Sequence, residues 1–265
     1  MPGRVTLRRA ARATGAGLVY LYPLLLLVLV WQAVAAAGLV RPIFLPRVSA
    51  VVVQAVKLVE EGQVFGPLAT SLYRAFAGLA LAVGAGVLLG IAMTRLRWLA
   101  WLCDPLVAVG FPSPKITFLP IFILWFGIDH LSKILLVAFT CVFPMVVSAY
   151  HGAVAVNRTW IWSARAMGTP EGRLLRRVVL PASLPYLFSG LRVTLPVALI
   201  TAFTAEMVAG GGGVGAALMF AQRFFETPTV FVYLLLMLLS GFLLDRLLLG
   251  LRARVLAWHE EAAHA

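Results

Sequence analysis

Six long apolar stretches limit what this chain can fold into more than any other feature of its sequence. They cover residues 17–40, 68–94, 99–126, 131–150, 186–209 and 230–251. A helix needs about 20 apolar residues to cross a bilayer, so each stretch is long enough to be one span. Only 12% of the residues are charged, whereas soluble domains have about 25%. The pattern predicts an all-α membrane protein with six transmembrane helices.

The distribution of basic residues predicts the orientation of these spans. Fourteen arginines lie in segments predicted inside, beginning with Arg4, Arg8, Arg9 and Arg12, and five Lys or Arg lie in segments predicted outside. Cytoplasmic loops carry the excess of Lys and Arg. We therefore expect both termini in the cytoplasm: residues 1–16 form a basic N-terminus, 17–251 the transmembrane domain and 252–265 a tail.

Two other interpretations of the ends and the charge were considered. Residues 33–35, Ala-Val-Ala, resemble a signal-peptide cleavage site, but the first apolar run exceeds the 7–15 residues of a signal core, so a retained span is favoured. The net charge of +12 is accounted for by arginines between apolar segments. Membrane lipid, and not nucleic acid, is the expected environment.

The third apolar stretch is the most interrupted one. It contains Pro105, Pro112, Pro114 and Pro120, which cannot all lie in one straight helix. Irregular backbone at membrane depth is tolerated only inside protein or along a water-filled path. This span is therefore expected to face a pathway or a partner, and not lipid. Pro144 is likewise expected to break the fourth span. Residues 49–61 are expected to form a surface helix, because their apolar residues recur with a helix-like period.

Polar side chains within the spans are the candidates for lining that pathway. They are Ser113, Lys115, Thr194, Thr201 and Glu206. Intramembrane ionisable groups are functional candidates by default. The alternatives are structural: Lys115 could pair with Asp104, threonines commonly bond to their own helix, and Arg74 and Arg192 could extend towards the membrane surface.

Residues 151–185 form the longest polar interruption between spans. A short helix over 163–167 is expected to end at Gly168, because glycine accepts the left-handed conformation of a helix C-terminus. A second helix is expected to start with Thr169 as N-cap, Pro170 at the first helical position and Glu171 near the positive end of the dipole. Pro181 and Pro185 are then expected to interrupt it.

Catalytic and metal-binding signals are weak, so no enzymatic activity is predicted. His259 and His264 are five residues apart, whereas one face of a zinc-binding helix needs a spacing of four. Cys103 and Cys141 lie in apolar segments without metal-ligand spacing. The glycines at 210–213 lack the Gly-Lys-Ser/Thr ending of a phosphate loop and predict a flexible turn.

The basic loop resembles the "EAA" loop of ABC-importer permeases. Ser163-Ala164 is followed, after three further residues, by Gly168, and after nine more residues by Val178-Val179-Leu180-Pro181. Supporting segments are Leu45-Pro46, Pro114-Lys115-Ile116, Leu124-Trp125-Phe126-Gly127, Leu131-Ser132-Lys133 and Ala205-Glu206. Together they resemble the nitrate/sulfonate/taurine branch, which includes permeases for thiamine precursors. Two positions depart from the motif: Trp162 stands where the family has glutamate, and Ser163 stands where it has alanine.

This resemblance implies a type I ABC-importer permease fold in the bacterial inner membrane. It implies a permease homodimer, a cytoplasmic ATP-binding subunit that holds the ATP and Mg, and a periplasmic or lipid-anchored solute-binding protein; no cofactor is expected on this chain. The implied ATPase-coupling residues are Trp162, Ser163, Ala164, Arg165, Ala166, Met167, Gly168, Thr169, Pro170 and Glu171.

The expected function is ATP-driven import of a small solute by alternating access. An organic or inorganic anion such as a sulfonate, taurine or nitrate is favoured. A thiamine or other vitamin precursor is one alternative. A stand-alone secondary transporter that uses Lys115 and Glu206 as coupling charges is another.

Overall fold

The computed structural model describes residues 22–258, and His259 and His264 lie outside this part, as do the four N-terminal arginines. The described chain is built from helices. In chain order they are α1 (Tyr22–Ala36), α2 (Val48–Glu60), α3 (Phe65–Arg95), α4 (Arg97–Gly110), α5 (Leu119–Phe126), α6 (His130–Val154), α7 (Arg158–Ala166), α8 (Glu171–Ala209), α9 (Val214–Arg223) and α10 (Thr227–Val255).

Four of the described helices, α3, α6, α8 and α10, are long and apolar enough to cross a membrane. The pair α4 and α5 counts as a fifth span if it is taken as one broken crossing. The predicted first span lies partly outside the described residues, and from Tyr22 its helix continues to Ala36. The prediction of an all-α membrane protein is confirmed.

The third span is broken, as its prolines predict. The axes of Arg97–Gly110 and Lys115–Phe126 differ by 99°, and Pro112 and Pro114 lie in the break between them. Proline does not always interrupt a helix here, however. Pro144 lies inside the continuous helix α6, so the predicted break in the fourth span is wrong.

Residues 22–63 and 220–234 form one of two compact units. In it the indole of Trp31 donates to the carbonyl oxygen of Pro46 over 2.9 Å and its ring lies 5.2 Å from that of Phe231. The side chain of Gln54 donates to Thr229 Oγ1 over 3.1 Å. These bonds hold α2, the predicted surface helix, within this unit.

Residues 64–219 and 235–258 form the second unit, where α3, α6 and α8 pack together. Close contact depends on glycines in α3. A Cβ atom on Gly86 would lie 2.5 Å from Met145 Cβ, and one on Gly90 would lie 2.5 Å from the carbonyl oxygen of Val146. Small residues allow helices to approach in this way inside a membrane.

Helix α8 corrects two predictions about the basic loop. The expected second short helix is continuous with the fifth span, and Pro181 and Pro185 do not interrupt it. A π-helical turn at Leu175–Val179 ends two positions before Pro181. Proline removes one helical hydrogen bond, and its ring clashes with the carbonyl group four residues earlier. A local π turn can make room for the ring and re-pair the backbone groups that are left free. The polar first turns of α8 thus belong to the basic loop, and its apolar remainder forms the span.

Candidate functional site

Helix α7 and the turn after it form a compact unit of the basic loop. The side chain of Asn157 accepts a hydrogen bond from the backbone N–H of Thr159 and caps the start of α7. Gly168 has a φ of +73°, and its N–H donates to the carbonyl oxygen of Arg165 over 2.9 Å. The prediction that Gly168 ends the first helix is confirmed. The second helix starts one residue later than expected, with Pro170 and not Thr169 at its N-cap.

Glu171, the first residue of α8, links α7 to the end of α3 through its two carboxylate oxygens. One carboxylate oxygen accepts from Arg165 Nε over 2.7 Å, and the other accepts from Arg95 Nη1, at the end of α3, over 2.8 Å. The hydrogen bond from Arg165 and the charge of Arg95 lower the pKa of the Glu171 carboxyl. The side chains remain partly open to solvent, at 57% for Glu171, 47% for Arg165 and 28% for Arg95. We call this set the exposed clip.

The ten residues implied to couple to an ATPase lie in α7, in the turn and at the first residue of α8. Ala164 is buried, whereas Trp160, Trp162 and Met167 are exposed. Large apolar side chains exposed beside arginines are unusual on a surface that faces only water. The loop thus exposes apolar area, and the position of the motif glutamate carries an exposed indole.

A groove of about 370 Å³ lies between α7 and the ends of α3 and α6. Its lining comprises Thr94, Arg95, Ala153, Val154, Val156, Arg158, Ile161, Trp162, Arg165 and Val179. Three of the lining residues are arginines, and five others are Ala, Val or Ile. Positions 158, 161, 162 and 165 share one face of α7, because residues three and four apart are neighbours on a helix.

Two of the predicted path residues lie at the break in the third span. Ser113 Oγ donates to the carbonyl oxygen of Val109 over 2.6 Å, and Lys115 Nζ donates to that of Phe111. The Lys115 ammonium also lies 5.3 Å from the ring centroid of Phe143. Both side chains satisfy carbonyl groups that the end of α4 leaves free. They are partly exposed, and Lys115 forms no ion pair with Asp104 in the described chain.

The two predicted threonines lie inside the packed helices. Thr194 is buried and its hydroxyl donates to the carbonyl oxygen of Gly190, four residues earlier, over 2.7 Å. This is the structural role that was weighed against path-lining. Thr201 is also buried. Neither lies near Ser113 or Lys115 in sequence, and no hydrogen bond joins the two pairs within residues 22–258.

The fifth predicted residue, Glu206, lies at the centre of a buried ionic cluster. It pairs with Arg74 Nη1 over 2.8 Å, and both side chains are 0% exposed. Its other oxygen accepts from Ser71 Oγ over 2.6 Å and from the N–H of Gly215 over 3.1 Å. The suggestion that Arg74 extends to the membrane surface is wrong. Arg192 instead pairs with Asp245 over 3.3 Å and stays half exposed.

The glycine turn completes this cluster. Arg74 also donates to the carbonyl oxygens of Gly211 over 2.6 Å and Gly212 over 2.8 Å. Gly213 has a φ of +96°, and a Cβ atom there would lie 2.3 Å from Glu206 Oε1. Glycine is required at this position for both its conformation and its size. We call Ser71, Arg74, Glu206 and this turn the buried clasp.

Sequence reasoning missed Ser71, Arg74 and the glycine turn as parts of one site. A signal was present: Arg74 and Glu206 are charges of opposite sign in apolar helices, and such charges almost always pair inside a membrane. No group of three or more His, Cys, Asp or Glu that could hold a metal ion was found among the described residues.

Comparison with known sequences gives a consistent result. Residues 82–256 match the family model described as "binding-protein-dependent transport system inner membrane component". The chain is 31% identical over 232 residues to the putative aliphatic sulfonates transport permease protein SsuC of Bacillus subtilis, which covers 88% of this chain and 84% of that one. It is 32% identical over 243 residues to the taurine transport system permease protein TauC of Escherichia coli, covering 90% and 88%. It is 29% identical over 240 residues to the formylaminopyrimidine transport permease protein ThiX of Halalkalibacterium halodurans, covering 89% and 94%.

Solved structures share the fold of this chain. An inward-facing structure of the methionine ABC transporter MetNI matches with a TM-score of 0.60 and 20% identity, over 72% of this chain and 94% of that one. An amino acid ABC transporter matches with a TM-score of 0.56 and 16% identity, over 74% and 94%.

Proposed function

The chain belongs to the family of binding-protein-dependent transport system inner membrane components, and we propose that the solute it imports is a small organic sulfonate. It is the permease component of a binding-protein-dependent ABC importer and has the type I ABC-importer permease fold. The proposal concerns its substrate, its partners and the residues that couple it to them.

The sulfonate proposal is carried by the relatives. Two permeases named for aliphatic sulfonates and taurine are 31% and 32% identical to this chain across more than four fifths of their length. A taurine-like solute is a zwitterion, and an alkanesulfonate is an anion, so both require a path that accepts a sulfonate group. The formylaminopyrimidine permease, at 29% identity, supports a vitamin-precursor importer as the second candidate.

Binding of an ATPase subunit is proposed for the surface of α7. The exposed side chains of Trp160, Trp162 and Met167 offer apolar area that a partner would bury. The turn at Gly168 and the exposed clip at Glu171 make this surface stiff, so that movement of the partner can pass to α3 and α8. ATP and Mg would bind the partner, and this chain would contribute no catalytic group.

The proposed assembly is a permease homodimer in a bacterial inner membrane. The two copies would enclose one path, the basic loops would face the cytoplasm, and a periplasmic or lipid-anchored binding protein would deliver the solute from the other side. The excess of arginines in the predicted inside segments supports this orientation.

Alternating access is the proposed mechanism. Binding of ATP to the partner would shift the balance between two arrangements of the spans, which is possible only if the partner binds them with different free energies. The break in the third span, with Ser113 and Lys115 partly exposed beside it, is the proposed path segment. The Lys115 ammonium would meet a sulfonate there. The buried positions of Thr194 and Thr201 favour packing as their role.

The substrate test is uptake by proteoliposomes. They would contain the chain together with the ATPase and binding protein from neighbouring genes. Labelled taurine and ethanesulfonate are expected to accumulate when ATP is supplied, and unlabelled formylaminopyrimidine is expected not to compete. Uptake of labelled formylaminopyrimidine, with no effect of either sulfonate, would transfer the assignment to the vitamin-precursor class.

The partner test is co-purification of the tagged chain after mild solubilisation. An ATPase subunit is expected at a ratio of one to one. The double variant Trp160→Ala/Met167→Ala should lose this subunit while Arg223→Gln, outside the basic loop, should keep it. Retention of the ATPase by the double variant would contradict the proposed contact surface.

A further inference from the structure

The groove beside α7 shares Trp162 with the proposed ATPase contact and Arg165 with the exposed clip, but its set of arginines offers a further chemistry. Its lining includes Ala153, Val156 and Val179, which together form a buried apolar cluster. Its rim carries the three arginines Arg95, Arg158 and Arg165. No Asp or Glu is among the described residues that line it.

The positive charge of this rim is only partly balanced. Glu171 accepts hydrogen bonds from Arg95 Nη1 and Arg165 Nε, so one carboxylate serves two guanidinium groups. Each guanidinium has five N–H donors, and Glu171 engages a single nitrogen of each. Arg158 forms no ion pair within residues 22–258. The groove therefore keeps both net positive charge and free donors.

We propose that this groove binds an oxyanion, supplied either as the phosphate of an anionic lipid headgroup or as free phosphate or sulfonate. Arginine suits this ligand because its planar donor fork binds phosphate oxygens in pairs. The groove volume of about 370 Å³ is far above the roughly 10–15 Å³ of cavity that one water molecule needs. It accommodates an oxyanion together with the apolar part of a larger molecule.

The position of the groove agrees with both sources of the oxyanion. Thr94 and Arg95 lie at the end of α3 and Val154 at the end of α6, where these apolar helices would leave the membrane. Basic clusters directly beside a span attract anionic lipid headgroups. The same rim is open to solvent at Arg165. The proposal does not depend on which solute the importer carries.

A bound oxyanion would add a second link between α7 and the spans. The exposed clip joins Arg165 of α7 to Arg95 of α3 through Glu171. An oxyanion between Arg158 and Arg95 would connect the other end of α7 to the same helix. The stiffness of the basic loop would then depend on the anion available at the membrane surface.

The test is the thermal stability of the purified full chain in a neutral detergent. The probes are dioctanoyl phosphatidylglycerol, inorganic phosphate and ethanesulfonate, with dioctanoyl phosphatidylcholine as the neutral control. A ligand that binds only the folded state raises Tm with a concentration dependence that gives its affinity. We expect phosphatidylglycerol, alone or together with the two free anions, to raise Tm, and phosphatidylcholine not to do so.

Variants of matched charge locate the effect. Arg158→Gln removes a rim arginine that has no ion pair, and Arg173→Gln removes an exposed arginine of the same loop that does not line the groove. Loss of a charge-assisted hydrogen bond should weaken binding about tenfold in Arg158→Gln, and Arg173→Gln should bind like the wild type. Arg158→Lys keeps the charge without the donor fork and should lie between them.

The possible outcomes distinguish a lipid headgroup from a free anion, and some of them would overturn the proposal. A Tm increase with phosphatidylglycerol alone assigns the oxyanion to lipid, and equal increases with phosphate or ethanesulfonate assign it to solution. The proposal is overturned if no oxyanion raises Tm, if Arg158→Gln binds like the wild type, or if Arg158→Gln and Arg173→Gln weaken binding equally.

Discussion

Two ionic clusters, the buried clasp and the exposed clip, lie on the same helix and differ in almost every physical respect. Arg74 of the clasp and Arg95 of the clip are 21 positions apart on α3, which corresponds to about 30 Å at 1.5 Å per residue. This is also the thickness of the hydrocarbon core of a bilayer. The clusters thus belong at opposite edges of the membrane.

The environment of the two carboxylates decides what each can contribute. Glu206 is 0% exposed and accepts from Arg74, Ser71 and Gly215, so its charge is wholly supported by protein groups. Glu171 is 57% exposed, and water can replace either arginine at little cost. A buried pair becomes costly when one partner is removed, whereas an exposed pair does not. The clasp is therefore expected to stabilise the fold, whereas the clip is expected to position α7.

The largest effect is expected from Glu206→Gln. The amide keeps the shape of the side chain but leaves Arg74 as a buried charge without its counterion, a change that costs about 3–5 kcal/mol. Since native domains are stable by only about 5–15 kcal/mol, we expect a large loss of Tm and a lower yield of folded protein. The yield and Tm of detergent-extracted protein measure this, with Glu171→Gln as the matched control. Equal Tm values for the two variants would remove the distinction between clasp and clip.

The glycine turn tests the same distinction at the level of the backbone. Gly212 and Gly213 both have positive φ, at +81° and +96°, but a Cβ atom on Gly212 would have open space whereas one on Gly213 would meet the Glu206 carboxylate. Gly212→Ala should cost about 1–2 kcal/mol for its conformation alone. Gly213→Ala should lower Tm clearly further, because the carboxylate must also move. A similar Tm for both would mean that the clasp tolerates displacement of Glu206.

The clip side allowed more to be predicted from sequence than the clasp side. The stop at Gly168 depends on residues within a few positions of one another, and local patterns contain that information. Arg74 and Glu206 are 132 positions apart. Their charges indicated that each needed a partner, but which partner depends on how α3 and α8 pack, and this packing is set by glycines and apolar contacts along whole helices.

Continuity of α8 was unpredictable for a related reason. Pro181 normally ends or kinks a helix, and the sequence offers no local sign that a π turn at Leu175–Val179 will accommodate it. The groove was also beyond sequence reasoning, since its arginines come from α3 and α7. In contrast, the broken third span followed directly from Pro112 and Pro114, because two prolines so close together leave few helical bonds to form.

Gly168→Pro should separate transport from folding. Proline cannot adopt the φ of +73° at this position and lacks the N–H that donates to the carbonyl oxygen of Arg165. The turn is exposed and distant from the clasp, so the variant is expected in the membrane at a normal level but without solute uptake. Gly168→Asn is the control, because asparagine tolerates the left-handed conformation. Normal uptake by Gly168→Pro would show that the turn has no part in coupling.

The smallest effect on stability is expected from Glu171→Gln, and its absence is informative. An exposed pair contributes little and is screened by salt, so Tm should match that of the wild type at moderate ionic strength. Glu60→Gln is the control, since Glu60 is exposed on α2 and forms no ion pair in the described chain. Uptake should nevertheless fall in Glu171→Gln, because α7 loses its link to Arg95.

Acidification of the wild type should have the same effect as Glu171→Gln, because protonation also removes the charge of the Glu171 carboxylate. The folded pKa of Glu171 lies below its usual value of 4.5, so any stabilisation by the clip is present above pH 4.5 and is lost as the pH falls through the folded pKa. At low ionic strength, where the exposed pair is least screened, the small Tm difference between wild type and Glu171→Gln should therefore be constant from neutral pH down to about pH 5 and vanish at lower pH. A difference that grows on acidification, or one as large as that of Glu206→Gln, would mean that the clip supports the fold as the clasp does.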